Sequence, residues 1–276
     1  MIKILIPTDF SLNIYQSIDY VTALYVNEYC EFYFLNTYTY DVVGLNAIEL
    51  LQADDAWFDE PNEESVNKLG ELVEHYTLKT NNVKHAFNAI SECVGLVDGI
   101  KKSIEKIGID LVILTSESSK NIGKTSENII EKIRSCPILI VPSHASIHEG
   151  IYLTVVSDFK QKVNTLEIDA FCKALKNTNF EVGILVLEEK SALTTEAVNN
   201  LELLIIYLES MLDQRIGLEY INSSYHLKDY AASHVEGIMC VIDEKPDLFR
   251  KIGIHKSNVI STLGKLNTNT VLTVHQ

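Results

Sequence analysis

The chain opens with Ile2-Lys-Ile-Leu-Ile-Pro-Thr-Asp9-Phe and later restarts with Ile151-Tyr-Leu-Thr-Val-Val-Ser-Asp158-Phe. Both are short, β-branched apolar runs that close on Asp-Phe and lead into a stretch of helical periodicity. A divergent internal repeat of this kind predicts two copies of one folding unit rather than a single irregular fold. Later segments echo one another in the same order: Ile238–Ile242 parallels Leu111–Leu114, and Thr270–Val274 parallels Pro137–Val141. The second copy is the shorter, chiefly because it has no equivalent of the segment after Asn36. A length of 276 residues with 46% hydrophobic content agrees with two ordinary cores. The expected domains are residues 1–142 and 151–276, with Ser143–Gly150 as linker.

Strand-sized runs alternate with helical ones throughout, which predicts an α/β fold, a parallel sheet covered by helices. In the first copy the strands are expected at Ile2–Ile6, Glu31–Asn36, Val83–Asn88, Ile109–Leu114 and Pro137–Val141. Ser11 is positioned to cap a helix running to about Tyr29, with Ile14, Ile18, Val21 and Tyr25 on its apolar face. Further helices are expected at Asn62–Thr80, from a Ser91 cap to Gly108, and at about Ser126–Arg134. Val21, Leu24, Ile113, Ile140, Val155 and Val241 are expected in the core. The segment Asp54–Glu64 combines six carboxylates with Trp57 and Phe58, and reads as a solvated acidic insertion tacked down by two aromatics, with a lid or partner-docking loop as the alternative.

Lys and Arg total 23 against 38 acidic residues, a formal net charge of -15. Such a field repels phosphate backbones and anionic membrane surfaces, so neither nucleic acid nor membrane is an expected partner. The apolar runs fall well short of the roughly 18 residues of a membrane span, and the N-terminus lacks a signal-peptide layout, so a cytoplasmic location is expected. The five cysteines are scattered and mostly set in apolar surroundings, which predicts buried free thiols. His144 and His148 stand at helical spacing in the linker but lack a third ligand nearby, and read as solvated residues.

Ile4-Leu-Ile-Pro7-Thr8-Asp9-Phe10-Ser11 resembles the opening of the universal stress protein family. Asp110-Leu-Val-Ile-Leu, then Gly123-Lys-Thr-Ser-Glu-Asn-Ile-Ile, then Cys136-Pro137-Ile-Leu-Ile-Val resembles that family's closing section. The resemblance implies two adenine-nucleotide α-hydrolase-like (Rossmann-like) domains in tandem, each a five-stranded parallel sheet of order 3-2-1-4-5 with helices on both faces. It implies an intramolecular pseudo-dimer, with the last strands of the two copies at the shared interface, and leaves a homodimer and protein partners open. ATP or AMP is the implied ligand of the first domain, with the Asp after the first strand facing adenine and ribose. In a doubly wound sheet, ligands sit outside the carboxyl ends of strands 1 and 4, where the winding reverses. The candidate binding residues are therefore Pro7, Thr8, Asp9, Thr37, Leu114, Thr115, Ser118, Gly123, Lys124, Thr125 and Ser126.

The sequence departs from the family where phosphates would bind. ATP-binding members carry Gly-x-x-Gly, about nine residues, then Gly-Ser, whereas this chain has Thr115-Ser-Glu-Ser118, four residues, then Gly123-Lys124. The missing glycines would let backbone approach phosphate without a Cβ in the way, and Glu117 adds a repelling carboxylate. In the second copy Asp158 persists, but Asp243-Glu-Lys-Pro-Asp247 stands where glycines are wanted, so no nucleotide is expected there. The expected function is a non-catalytic stress-response module whose first domain binds adenine nucleotide weakly or not at all. A genuine ATP/AMP sensor and a purely protein-docking scaffold are the alternatives.

A P-loop NTPase is a further rival, because Ser118-Ser-Lys-Asn-Ile-Gly123-Lys124-Thr125 differs from Gly-x-x-x-x-Gly-Lys-Thr only at its first position, with Tyr152–Asp158 imitating a magnesium-binding strand. No Gly-x-Ser-x-Gly, His-Glu-x-x-His or Gly-x-Gly-x-x-Gly occurs, and the remaining histidines are dispersed, so no enzyme is expected. His255-Lys256-Ser257 resembles a stretch of tandem stress proteins from some bacteria.

Overall fold

In the first half, apolar runs long enough to be buried on both faces become parallel strands, and the amphipathic stretches between them become the crossovers. The computed structural model describes residues 1–40, 55–116, 123–145, 147, 150–221, 226–244, 258–266 and 268–276. The first half runs β1 (Ile2–Pro7), α1 (Leu12–Leu24), β2 (Cys30–Thr37), α2 (Asp55–Thr80), β3 (His85–Glu92), α3 (Leu96–Ile107), β4 (Leu111–Ser116), α4 (Lys124–Lys132) and β5 (Ile138–Pro142). The second runs β6 (Ile151–Ser157), α5 (Leu166–Ala174), β7 (Phe180–Val186), α6 (Thr195–Leu212), β8 (Gly217–Tyr220), α7 (Leu227–Ser233), β9 (Ile238–Asp243), α8 (Asn258–Leu263) and β10 (Thr270–His275).

The strand order is β3-β2-β1-β4-β5-β10-β9-β6-β7-β8. Each half has the expected order 3-2-1-4-5, and within each half every pairing is parallel. The repeat holds at the level of register, since Ile4 pairs with Leu111 as Leu153 pairs with Ile238. The halves are joined by antiparallel pairing of β5 with β10, Leu139 opposite Leu272, into one ten-stranded sheet. That join removes two strand edges that would otherwise be open to association.

Side chains alternating along β1 go to opposite faces. Ile4 and Ile6 join a core with Ile14 and Ile18 of α1, Leu72 of α2, Ile168 of α5 and Leu204 of α6. Leu5 joins a second core with Ile100 of α3, Ile130 of α4, Leu227 of α7 and Leu263 of α8. All six expected core residues are buried.

Several boundaries differ from the sequence expectation. α1 ends at Leu24, with Tyr25 as C-cap, because a tight turn rather than a further helical turn carries the chain to Glu28. Ser11 makes no side-chain cap; its own N–H donates to Asp9 Oδ1 instead. β3 begins at His85, leaving Val83 97% exposed, and continues through Ser91. The Ser91 hydroxyl therefore caps nothing and instead bonds the Ser65 hydroxyl of α2 at 2.8 Å, while α3 starts after Gly95. Gly108 ends α3 at φ 73, the left-handed conformation that favours glycine. The acidic insertion, from Asp55 on, is not a loop: α2 begins there, seven residues before the expected start, and includes Pro61. Carboxylates in the first turns of a helix are favoured by its dipole, which offsets the hydrogen bond that Pro61 cannot donate.

Among the cysteines, Cys30, Cys136, Cys172 and Cys240 are buried and Cys93 is exposed, all as free thiols. Burial pushes the Cys30 and Cys172 thiols up to about 12, and Cys136 and Cys240 well above the ordinary range. The thiolate is the reactive form, so a disulfide-exchange reagent at pH 8 should label Cys93 within minutes and the other four only on unfolding. Rapid release of more than one equivalent would contradict this burial.

Leu111 and Ile140 are 3% exposed on opposite faces of the sheet. Truncating either to Ala should lower urea-melt stability by about 2–5 kcal/mol through the cavity left behind.

Candidate functional site

The turn after β1 is built the same way in both halves. Phe10 adopts φ 62 and Phe159 φ 57, a left-handed conformation that costs a bulky residue on the order of 1–3 kcal/mol. Local hydrogen bonds hold each turn. Phe10 N–H donates to Thr8 Oγ1 at 3.0 Å and Ser11 N–H to Asp9 Oδ1 at 2.9 Å. Phe159 N–H donates to Ser157 Oγ at 3.0 Å and Lys160 N–H to Asp158 Oδ1 at 3.1 Å. The Thr/Ser-Asp-Phe repeat is thus a structural device that presents a carboxylate at the carboxyl end of the first strand.

In the first half this carboxylate borders a crevice of about 450 Å³ at the reversal point between β1 and β4, within the size range of small-molecule sites. Eight of the eleven candidates, Pro7, Thr8, Asp9, Thr37, Leu114, Thr115, Thr125 and Ser126, line it. Gly123, the N-cap of α4, and Lys124, which is exposed, are not among its lining residues. Ser118 and Glu117 lie outside the described residues. The Thr115 hydroxyl is turned inward, donating to Ser17 Oγ at 2.9 Å. Thr37 is held by close packing: a Cβ on Gly99 of α3 would sit 2.7 Å from its Cγ2.

Ser11, Asn13, Ile14, Asn36, Leu96 and Ile129 also line the crevice and escaped the sequence reading. Asn36, whose Nδ2 donates to the Thr8 carbonyl at 2.9 Å, could have been found from its place at the carboxyl end of β2. Leu96 was hidden by the misplaced start of α3. Among the described lining residues Asp9 is the only titratable one, and no ion pair to it exists among the described residues.

The second half has the same turn but a different site. Asp158 Oδ2 pairs with Lys160 Nζ at 3.0 Å, so both its oxygens are engaged. Among the described residues the hollow there, bordered by Ser157, Asp158, Glu244 and Gln276, measures about 100 Å³. Arg134, from the turn between α4 and β5 of the first half, reaches the end of β9. Its guanidinium pairs with the buried Asp243 carboxylate and donates to the carbonyls of Asp243 at 3.1 Å and Glu244 at 2.9 Å.

β6 pairs with β7 and β9, not with β4. The Asp158 strand therefore does not lie beside the strand leading to Gly123-Lys124-Thr125, as the magnesium-binding part of the P-loop reading would have it. His148, and with it any metal pair in the linker, lies outside the described residues, as does His255-Lys256-Ser257; among the described residues no cluster fit for a metal ion occurs. No described helix is long and apolar enough to cross a membrane.

No family model and no curated protein matches this sequence. Solved structures do match it across its length. A universal stress protein from Archaeoglobus fulgidus is 14% identical, with 99% of this chain and 98% of that one covered and a TM-score of 0.69. A putative universal stress protein from Pseudomonas aeruginosa is 11% identical, with 99% and 92% covered and a TM-score of 0.59. The cytoplasmic domain of a prokaryotic cation chloride cotransporter is also 11% identical, with 99% and 94% covered and a TM-score of 0.57. The whole chain therefore has the fold found in universal stress proteins.

Removing the guanidinium of Arg134 would take from the buried Asp243 carboxylate the cation that reaches it from the first half. Arg134→Ala should cost about 3 kcal/mol in urea melts, and Arg134→Lys should recover only part of it, because an ammonium cannot span a carboxylate and two carbonyls. An alanine variant as stable as the parent would remove this contact from the account of how the halves are held.

Proposed function

We propose that this chain is a tandem universal stress protein, a non-catalytic stress-response module of the cytoplasm made of domains 1–142 and 151–276. In this reading the first domain retains a weak adenine-nucleotide site and the second serves as its built-in dimer partner. The observation that carries the reading is the inequality of two crevices built on the same turn. One is about 450 Å³ with an unpaired carboxylate, and the other about 100 Å³ with its carboxylate tied to Lys160 and Arg134 beside it.

The lining of the larger crevice supports binding rather than catalysis. General acid–base chemistry works through titratable groups with separated pKa values or a nucleophile with a hydrogen-bonded base. Asp9 alone among the described lining residues is titratable, and its Oδ1 is already committed to the turn. A nucleoside would meet Asp9, the ends of β1 and β4, and the polar groups of Asn36 and Thr37. The cotransporter domain of the same fold supports a docking role, since there the fold belongs to a larger membrane protein.

Isothermal titration with adenosine, AMP and ATP tests this. Binding in the high-micromolar to millimolar range is expected, and Asp9→Asn, which keeps the turn but removes the charge, should weaken adenosine by about tenfold, the loss of one charge-assisted hydrogen bond. Low-micromolar ATP affinity would replace this reading with that of a nucleotide sensor. Turnover of ATP by the purified chain would overturn its non-catalytic part.

A further inference from the structure

The crevice of the first half does not end at α4. Leu96, Thr125 and Ile129 line both it and a second hollow of about 400 Å³ between α3 and α4. The chemistry changes across that shared border. Among the described residues the crevice has one ionisable group, a carboxylate, whereas the hollow presents two amines, Lys101 of α3 and Lys132 at the end of α4, against the single carboxylate of Asp98. In a chain of net charge -15 a local excess of cations runs against the general field. Neither lysine is used in an ion pair among the described residues, although Lys68, Lys79, Lys102, Lys160 and Lys173 all are.

We propose that the hollow between α3 and α4 is the anion subsite of this crevice: a nucleoside bound beside Asp9 directs its diphosphate onto Lys101 and Lys132, away from the segment before α4. The proposal rests on the reading that the crevice takes a nucleoside. Its physical basis is complementarity. Phosphate oxygens are strong acceptors for ammonium donors, and lysine stems can place their charges on phosphate while staying hydrated. The sequence before α4, by contrast, lacks the glycines of the family and includes Glu117. Two exposed lysines make the attraction sensitive to salt, whereas uncharged adenosine is indifferent to it.

Titrations of adenosine and ADP against the parent chain and the double variant Lys101→Gln/Lys132→Gln decide the matter, with melting curves to establish that the variant is folded. ADP should bind about tenfold more tightly than adenosine to the parent, an advantage worth about 1.4 kcal/mol. The double variant should bring ADP to the level of adenosine and leave adenosine unchanged, and raised ionic strength should do the same to the parent. An ADP advantage that survives in the variant, or no advantage in the parent, overturns the subsite. If adenosine does not bind at all, the nucleoside reading fails separately, and inorganic pyrophosphate becomes the probe. Pyrophosphate binding abolished in the double variant would uphold the hollow as an anion site, and its absence from the parent would overturn it.

Discussion

Antiparallel pairing of β5 with β10 is the contact on which the rest of this molecule depends. Because Leu139 lies opposite Leu272, the two halves are related by a local two-fold and share one sheet. The direction of that pairing has a chemical consequence. It turns the carboxyl ends of the second half's strands toward the amino ends of the first half's, so the turn before β5 is delivered to the end of β9. Arg134 sits in that turn, and its bonds to Asp243 and Glu244 follow from the register. The residue at the same distance before β10 is Leu266, which carries no charge. An approximately symmetric scaffold therefore places a guanidinium beside one crevice from a position whose counterpart in the repeat is neutral.

Contacts away from the sheet reinforce the same junction. The buried Glu28 carboxylate, in the turn after α1, accepts from the Asn177 backbone N–H at 2.6 Å and from its Nδ2 at 2.7 Å, in the corresponding turn after α5. Within the second half, His275, the last residue of β10, donates its backbone N–H to Glu167 of α5 at 2.8 Å and so ties the strand at the junction to its own domain. Charged groups buried at a junction are costly unless hydrogen-bonded, and here Glu28 finds its donors on the facing turn and Glu167 on the adjacent strand. These contacts fix the orientation of the halves more than they strengthen the association, which the apolar strands already provide.

Much of this was legible in the residues. The repeated apolar run with Asp-Phe located both first strands, and burial on both faces made β1, β4 and β5 nearly continuous apolar runs that could be placed within one or two residues. Helix ends were harder, since Ser11 and Ser91 both fit the cap pattern while one sits in a turn held by Asp9 and the other inside an edge strand. The start of α2 was missed because Pro61 and a run of carboxylates resemble a loop, although both are compatible with the early turns of a helix. Of the crevice, the residues on strand ends were found by the rule for doubly wound sheets. Leu96, Ile129 and Asn13 were not, because their part in it depends on how three different helices converge.

What the sequence determined by itself is therefore the repeat, the alternation of strands and helices within each half and the carboxylate after each first strand, all of which arise from local pattern, while the strand order came with the family resemblance. Only the tertiary structure decided which of the two carboxylates faces an open crevice. Asp9 and Asp158 occupy the same turn, with the same hydrogen bonds, and differ in what arrives from elsewhere. Lys160, two residues on, pairs with Asp158 itself, whereas Arg134 comes from the other half across the strand pairing and holds Asp243 and Glu244 beside the second hollow. Electrostatic partnership depends on distance in space, which local sequence pattern does not encode when the partner lies more than a hundred residues away.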